Sequence, residues 1–288
     1  MKATFSFCVR FSGLTLRFNL PTTVTLPECF SDLRCEDTDT PDAEYTVQLL
    51  HTPLDVQGDP VGGYGGTDIY FTEKGWLHIH TALTAADGCQ VACFLCPEGK
   101  NILYYPASRW DFYSQYWHSA HLLAGERLLM WHNAVLLHSS VVLIHGRMVL
   151  FSGPSGVGKS TQAQLWKNYK NADIINGDRC VIMEKNGEYL GGGSPWCGTS
   201  SIHRPEQAPI AGIFLLKHST ENTVRPLGAE AFAPLYSQTT LNPWDKDFMD
   251  KAATLYSGLL GSVPVYELCC TPTQDAVELA YNTIFGKD

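Results

Sequence analysis

One stretch, VLFSGPSGVGKST at residues 149–161, limits what this chain can be more than any other. Gly153 and Gly158 frame a loop, and Lys159 and Ser160 follow at once, giving the spacing G-x-x-x-x-G-K-[ST]. Such glycines permit backbone conformations that a Cβ would forbid and let the main chain approach a ligand closely. Successive N–H groups and the start of a following helix then form a nest for an anion. The pattern carries weight only between a strand and a helix. Met148–Phe151 reads as an apolar strand and Thr161–Trp166 suits a helix. The loop residues Gly153, Pro154, Ser155, Gly156, Val157, Gly158, Lys159, Ser160 and Thr161 are therefore expected to hold a nucleoside triphosphate, ATP. Lys159 would reach the outer phosphates and the Ser160 hydroxyl would bind Mg²⁺.

A divalent cation also needs a carboxylate. Asp178, in ADIINGDRCVI, follows a short apolar strand one helix beyond the loop and is the expected second metal ligand. Its sequence neighbour Arg179 is expected on the opposite face of a strand, because alternate residues point to opposite sides.

The rest of the chain divides by pattern. Across the first third, TFSFCVRF, LTLRFNL, YTVQLL, DIYF, WLHIH, QVACFLC and NILYY are rich in β-branched and aromatic residues and are separated by turn clusters. Residues 1–109 are thus read as a β-rich domain. From Trp110 to Trp131 apolar residues recur at helical spacing, which predicts a connecting helix over 110–133. Strands and helices alternate over 134–288, which predicts an α/β domain carrying the loop.

Of the 288 residues 44% are hydrophobic and 17% charged, enough for a sizeable core. The net charge of −9 argues against nucleic acid as the main partner, since a phosphate backbone needs a basic face. No apolar run approaches the roughly 20 residues of a membrane span. Arg10 interrupts what would be the apolar core of a signal peptide. A cytoplasmic chain without a membrane partner is expected, its ten cysteines free thiols. Cys89, Cys93 and Cys96 have the spacing of an iron–sulfur cluster motif, but they sit in a strand-like segment and are read as part of a half-buried sheet. His118 and His121, three apart, lack an evident third metal ligand, and packing is the expected role.

Between about Leu136 and Leu216 the chain resembles HPr kinase/phosphorylase and, more distantly, the nucleotide site of phosphoenolpyruvate carboxykinase. LLHSSVV offers His138 on the strand before the loop, SGPSGVGKS matches the loop itself, and Asp178 matches the second of the family's paired acids. Gly177 stands where the family has the first acid, which it uses as a base. The segment GGSPWCGTSSIHRPEQAPIAGIFLL resembles HPr-kinase-like proteins found with peptide-modifying gene clusters, with Gly192, Pro195, Trp196, Gly198 and Arg204 in step.

The resemblance implies a β-rich N-terminal part followed by an HPr-kinase-like P-loop domain, α+β overall. It implies an ATP- and Mg-dependent phosphotransferase acting on a hydroxyl of a peptide, protein or small molecule, with Lys159, Asp178 and His138 in catalysis. Arg204, after a Gly-Thr-Ser-Ser stretch, is read either as a phosphate or substrate contact or as a solvated surface arginine, and a homo-oligomer is possible, since relatives form rings. Gly177 keeps a second reading open, a nucleotide-binding accessory protein that catalyses nothing.

Overall fold

The computed structural model describes residues 5–115 and 120–286, and it is a mixed α/β structure with two large sheets. The seven strands expected in the first third all form. With two short additions they make β1 (Phe5–Phe11), β2 (Leu14–Leu20), β3 (Arg34–Cys35), β4 (Ala43–Leu50), β5 (Gly62–Tyr64), β6 (Thr67–Thr72), β7 (Gly75–His80), β8 (Val91–Leu95) and β9 (Lys100–Pro106). A one-turn helix, α1 (Glu28–Ser31), lies between β2 and β3. The nine strands form one sheet in the order β3-β1-β2-β4-β9-β8-β7-β6-β5. Pairing is parallel at β2–β4 and β4–β9 and antiparallel from β9 to β5. Aromatic rings fill its core: Phe18 stacks on Phe7 at 5.4 Å and on Tyr45 at 5.3 Å. Cys89, Cys93 and Cys96 are buried, and the Cys96 thiol donates to the Lys100 carbonyl at 3.3 Å.

The continuous helix expected over 110–133 does not form. Its described residues make three short helices, α2 (Trp110–Tyr113), α3 (Ala120–Leu123) and α4 (Gly125–Trp131). Ala124 takes the left-handed φ of 45° between the last two. The physical reason lies in burial. Every residue from Leu122 to Met130 is buried, whereas a single amphipathic helix would turn one face to solvent. His118 and the side chain of His121 lie outside the described residues.

Backbone clustering divides the chain into two units. The first holds residues 1–10, 14–131 and 242–246, and the second holds 11–13, 132–241 and 247–288. Within the first, Arg127 is 2% exposed; its guanidinium lies 3.7 Å over the Trp76 ring and donates to Asp245 at 2.6 Å.

The second unit contains β10 (Ala134–Ile144), β11 (Arg147–Ser152), α5 (Lys159–Lys170), β12 (Asp173–Asn176), β13 (Arg179–Lys185), β14 (Glu188–Gly192), β15 (Gln207–His218), β16 (Thr223–Leu227), α6 (Phe232–Ser237), α7 (Lys246–Ser262), β17 (Val265–Cys270) and α8 (Gln274–Phe285). Two tight hairpins join β10 to β11 and β13 to β14. Their turn residues His145-Gly146 and Asn186-Gly187 all have positive φ, as the strand twist demands. The strand path closes on itself: β11 pairs β10, β10 pairs β13, β13 pairs β14, β14 pairs β15, and β15 returns in parallel to β11. Beyond β15 the sheet continues through β17 to β16. On one face α5 and α8 cover an apolar core centred on Phe151, Trp166, Phe214 and Tyr281.

The long strand β10 serves three partners, one of them β12, which pairs residues 141–143. Residues 134–138 pair β13, and residues 139–144 pair β11. The change falls between His138 and Ser139, beside the end of β11 from which the glycine loop departs. No helix among the described residues is long and apolar enough to cross a membrane.

Removing the partner of a buried charge is costly, by about 3–5 kcal/mol. Asp245→Ala should therefore cost the first unit about 3–5 kcal/mol, measured by urea unfolding, and Arg127→Met in the same chain should recover much of it. An Asp245→Ala protein as stable as the parent would refute the importance of this pair.

Candidate functional site

The loop expected from sequence stands between β11 and α5. Gly153 has φ 143°, Gly156 80° and Gly158 101°, all in the region that only glycine adopts freely. Gly158 is also the residue from which α5 starts, so the first N–H groups of the helix follow the loop directly. Lys159 is buried, and its ammonium donates to the carbonyls of Gly153 at 2.9 Å and Pro154 at 3.0 Å. Burial lowers its pKa and Arg179 adds to that, while Asp178 opposes it.

Asp178 is brought to this loop by a turn. Asn176, fully buried at the end of β12, accepts at its Oδ1 from the N–H groups of both Asp178 and Arg179, each at 2.8 Å. Its Nδ2 donates to the Ser194 carbonyl at 3.0 Å. The Gly177 carbonyl in that turn accepts from Ser140 at 2.9 Å and from Ser160 at 3.3 Å. The Ser160 hydroxyl is thus fastened one residue from Asp178, across 17 residues of chain.

On the other side of Asp178, its Oδ1 lies 3.3 Å from His138 Nε2 and its Oδ2 lies 3.4 Å from Arg179 Nε. Burial lowers the His138 pKa, and Lys159 and Arg179 lower it further, while Asp178 and Gln238 oppose. The imidazole is held below its ordinary 6.5, hence neutral at neutral pH.

Arg179 was expected on the opposite face. The alternation argument fails because Gly177 and Asp178 form a turn and the strand β13 begins only at Arg179. The long side chain reaches back to Asp178, and its Nη1 donates to Thr240 at 3.3 Å. Asn-Gly ahead of the acid was the available turn signal. Arg204 is placed differently. Its guanidinium pairs with Asp173 at 2.9 Å, at the opposite end of β12 from Asp178, and both side chains are largely exposed.

Gly177 is closely packed. A Cβ there would overlap the Ser200 side chain. Any larger side chain at 177 would have to displace Ser200.

Among the described residues no three His, Cys, Asp or Glu side chains converge as a metal cluster. A cation bound together with a triphosphate does not need one. Such ions take one or two protein oxygens and complete their shell with phosphate oxygens and water. Ser160 Oγ and the Asp178 carboxylate are hard oxygen donors on adjoining backbone, and they suit Mg²⁺ on those terms.

A cavity of about 570 Å³ adjoins the loop, lined by Gly153, Pro154, Val157, the end of β15, β16 and α6.

No family model matches the chain, and no curated protein matches it. Among solved structures it is similar to the HPr(Ser) kinase/phosphatase from Coxiella burnetii, at 11% identity over 51% of this chain and 95% of that one, with a TM-score of 0.30. A likeness of that strength leaves the reading of the site to its geometry.

The crowding at Gly177 has a measurable consequence. Gly177→Asp should destabilise the protein by about 1–3 kcal/mol, the usual cost of overpacking. Adding Ser200→Gly should restore most of the lost melting temperature. An unchanged melting temperature in Gly177→Asp would show that Ser200 yields freely.

Proposed function

We propose that this protein is an ATP-dependent kinase that transfers the γ-phosphoryl group to a hydroxyl. One observation carries the reading: Lys159, Ser160, Asp178 and His138 lie together at the junction of β10, β11 and α5, tied by the contacts Ser160–Gly177, Asp178–His138 and Lys159–Gly153. A loop that only bound phosphate would not require a neutral histidine paired with an acid beside it.

The residues divide the work by charge and reach. Backbone N–H groups from Ser155 to Thr161 and the start of α5 hold the phosphates. The Lys159 ammonium exchanges the carbonyls of Gly153 and Pro154 for outer phosphate oxygens and offsets the charge that develops there. Ser160 and Asp178 would hold Mg²⁺, which neutralises β- and γ-phosphate charge when bound. Asp178 also orients His138. As the acceptor oxygen bonds to the γ-phosphorus, the bond from phosphorus to the β–γ bridging oxygen breaks and its electron pair leaves with ADP. The acceptor proton passes to the His138–Asp178 pair. Phosphoryl transfer depends mainly on positioning and charge stabilisation, so Gly177 in place of an acid does not forbid it. Arg179, 3.4 Å from Asp178, supplies a second cation next to the transferred group. Arg204, which pairs with Asp173, is assigned no part in the step.

Substitutions should separate these roles. Lys159→Ala should weaken Mg-ATP strongly while leaving any affinity for adenosine unchanged, by calorimetry. Asp178→Asn should remove the Mg²⁺-dependent gain in ATP affinity and abolish transfer. His138→Ala should bind Mg-ATP almost normally and turn over about 10²- to 10⁴-fold more slowly, the range for loss of a general base. Normal Mg-ATP binding by Asp178→Asn, together with weak binding by His138→Ala, would reverse the assignment.

The pH profile follows from the lowered pKa of His138. The neutral base persists from alkaline pH down through 6.5, so kcat/KM should be level across neutrality and fall only on the acid side of 6.5. The stability contribution has the same sign. The unfolded chain takes up this proton first, so the contribution is whole above 6.5 and fades as pH falls toward the folded-state value. An acid limb centred above 6.5 would exclude His138 as the base.

A further inference from the structure

The cavity beside the loop has a lining that sets what it can receive. Its walls include Val157, Leu215, Leu227 and Pro234, which are apolar. Its charged residues cancel in pairs. Glu267 accepts from Lys217 at 2.5 Å and lies 3.4 Å from Arg225, and Arg225 lies 3.4 Å from Glu230. Two cations face two carboxylates, so these four charges sum to zero. The Lys217 hydrogen bond keeps the Glu267 carboxyl below the ordinary carboxylate range, and the network stays ionised at neutral pH. The volume, about 570 Å³, lies within the roughly 300–1,000 Å³ that small-molecule sites occupy.

Position decides which end of the nucleotide this cavity serves. The Lys159 ammonium rests on the carbonyls of Gly153 and Pro154, and these two residues line the cavity. In a phosphate loop that lysine marks the β- and γ-phosphates. Gln238 lines the cavity as well, and its carbonyl accepts from the His138 N–H at 2.9 Å. Neither Ser160 nor Thr161 is part of the lining. The cavity therefore adjoins the γ-phosphate end of the loop and the backbone that holds His138. A nucleoside extends from the α-phosphate, away from that end.

We infer that this cavity is the acceptor site, and that the acceptor is a hydroxyl carried on an uncharged, apolar body. The inference rests on the kinase reading and adds to it a substrate class and a place. The apolar body packs between the end of β15 and α6, against Leu227 and Pro234. The hydroxyl points out past Pro154 toward the γ-phosphorus. Its oxygen forms the new bond to phosphorus, its proton goes to the His138–Asp178 pair, and ADP leaves.

Two plugs on different elements test this. Ser237→Trp fills the cavity from the exposed end of α6, and Leu227→Trp fills it from β16. Each variant is first shown to be folded by circular dichroism. Affinity for Mg-ATP and for inorganic tripolyphosphate is then measured by calorimetry. Transfer from γ-labelled ATP is measured to serine and threonine dipeptide amides with apolar neighbours, and to the free amino alcohols leucinol and phenylalaninol. The two acceptor sets separate a peptide source from a small-molecule one. Both plugs should leave each affinity within about twofold of wild type while cutting transfer about 100-fold, as misplacing a reactant does.

A loss of about tenfold or more in ATP affinity with tripolyphosphate unchanged would make the cavity a nucleoside pocket, leaving the kinase reading intact and this inference wrong. Undiminished transfer by both folded plugs overturns it too. So does wild-type protein that binds Mg-ATP yet phosphorylates none of these acceptors. If wild type binds neither ATP nor tripolyphosphate, the phosphate-loop reading fails first and carries the inference down with it.

Discussion

The side chain of Asn176 holds the acidic half of the site in place. It is fully buried and accepts two backbone N–H groups, those of Asp178 and Arg179, while donating to the Ser194 carbonyl. Such a buried amide is worth most when every group is satisfied, because an unpaired backbone donor in a dry interior costs about 1–3 kcal/mol. With it, Gly177 turns its carbonyl to Ser140 and Ser160, and Asp178 faces His138 and Arg179. An aspartate at 176 would keep the acceptor and lose the donor to Ser194. A leucine would lose both.

Around that turn the charges are balanced but not neutralised one for one. Lys159, Arg179 and Asp178 leave one positive charge in excess, with the His138 pKa lowered by burial and then by the cations. An electropositive pocket in a chain of net charge −9 is what a phosphate ligand requires. The acidic remainder of the chain works against non-specific binding to nucleic acid.

Much of this was legible in the sequence, for reasons tied to particular residues. The glycine loop is fixed by local backbone demands, so Gly153 to Ser160 announced themselves. The strands of the first third followed from β-branched and aromatic runs, and Asp178 from its nearness to the loop along the chain. What escaped depends on contacts far apart in sequence. The apolar spacing of 110–131 looked like one helix, because periodicity cannot tell a two-faced helix from a segment enclosed on all sides. The crowding of Gly177 by Ser200 is set by a segment 23 residues on. Arg179 was misplaced because a turn, not a strand, precedes it, and the partner change in β10 falls at the polar run His138-Ser139-Ser140, which local pattern alone does not mark as a change of partner.

The segment Asn242–Lys246 bears on how the chain is made. It belongs to the first unit, where Asp245 neutralises the buried Arg127, yet it lies more than a hundred residues after Arg127. During synthesis the nine strands emerge with Arg127 among them, long before its counter-ion exists. The first unit can therefore be finished only after the glycine loop, β13 and β15 have left the ribosome. A fragment ending at Trp131 would keep its whole sheet and still lack the Asp245 carboxylate that Arg127 meets at 2.6 Å. Completion of the first unit thus waits on a segment made after most of the second.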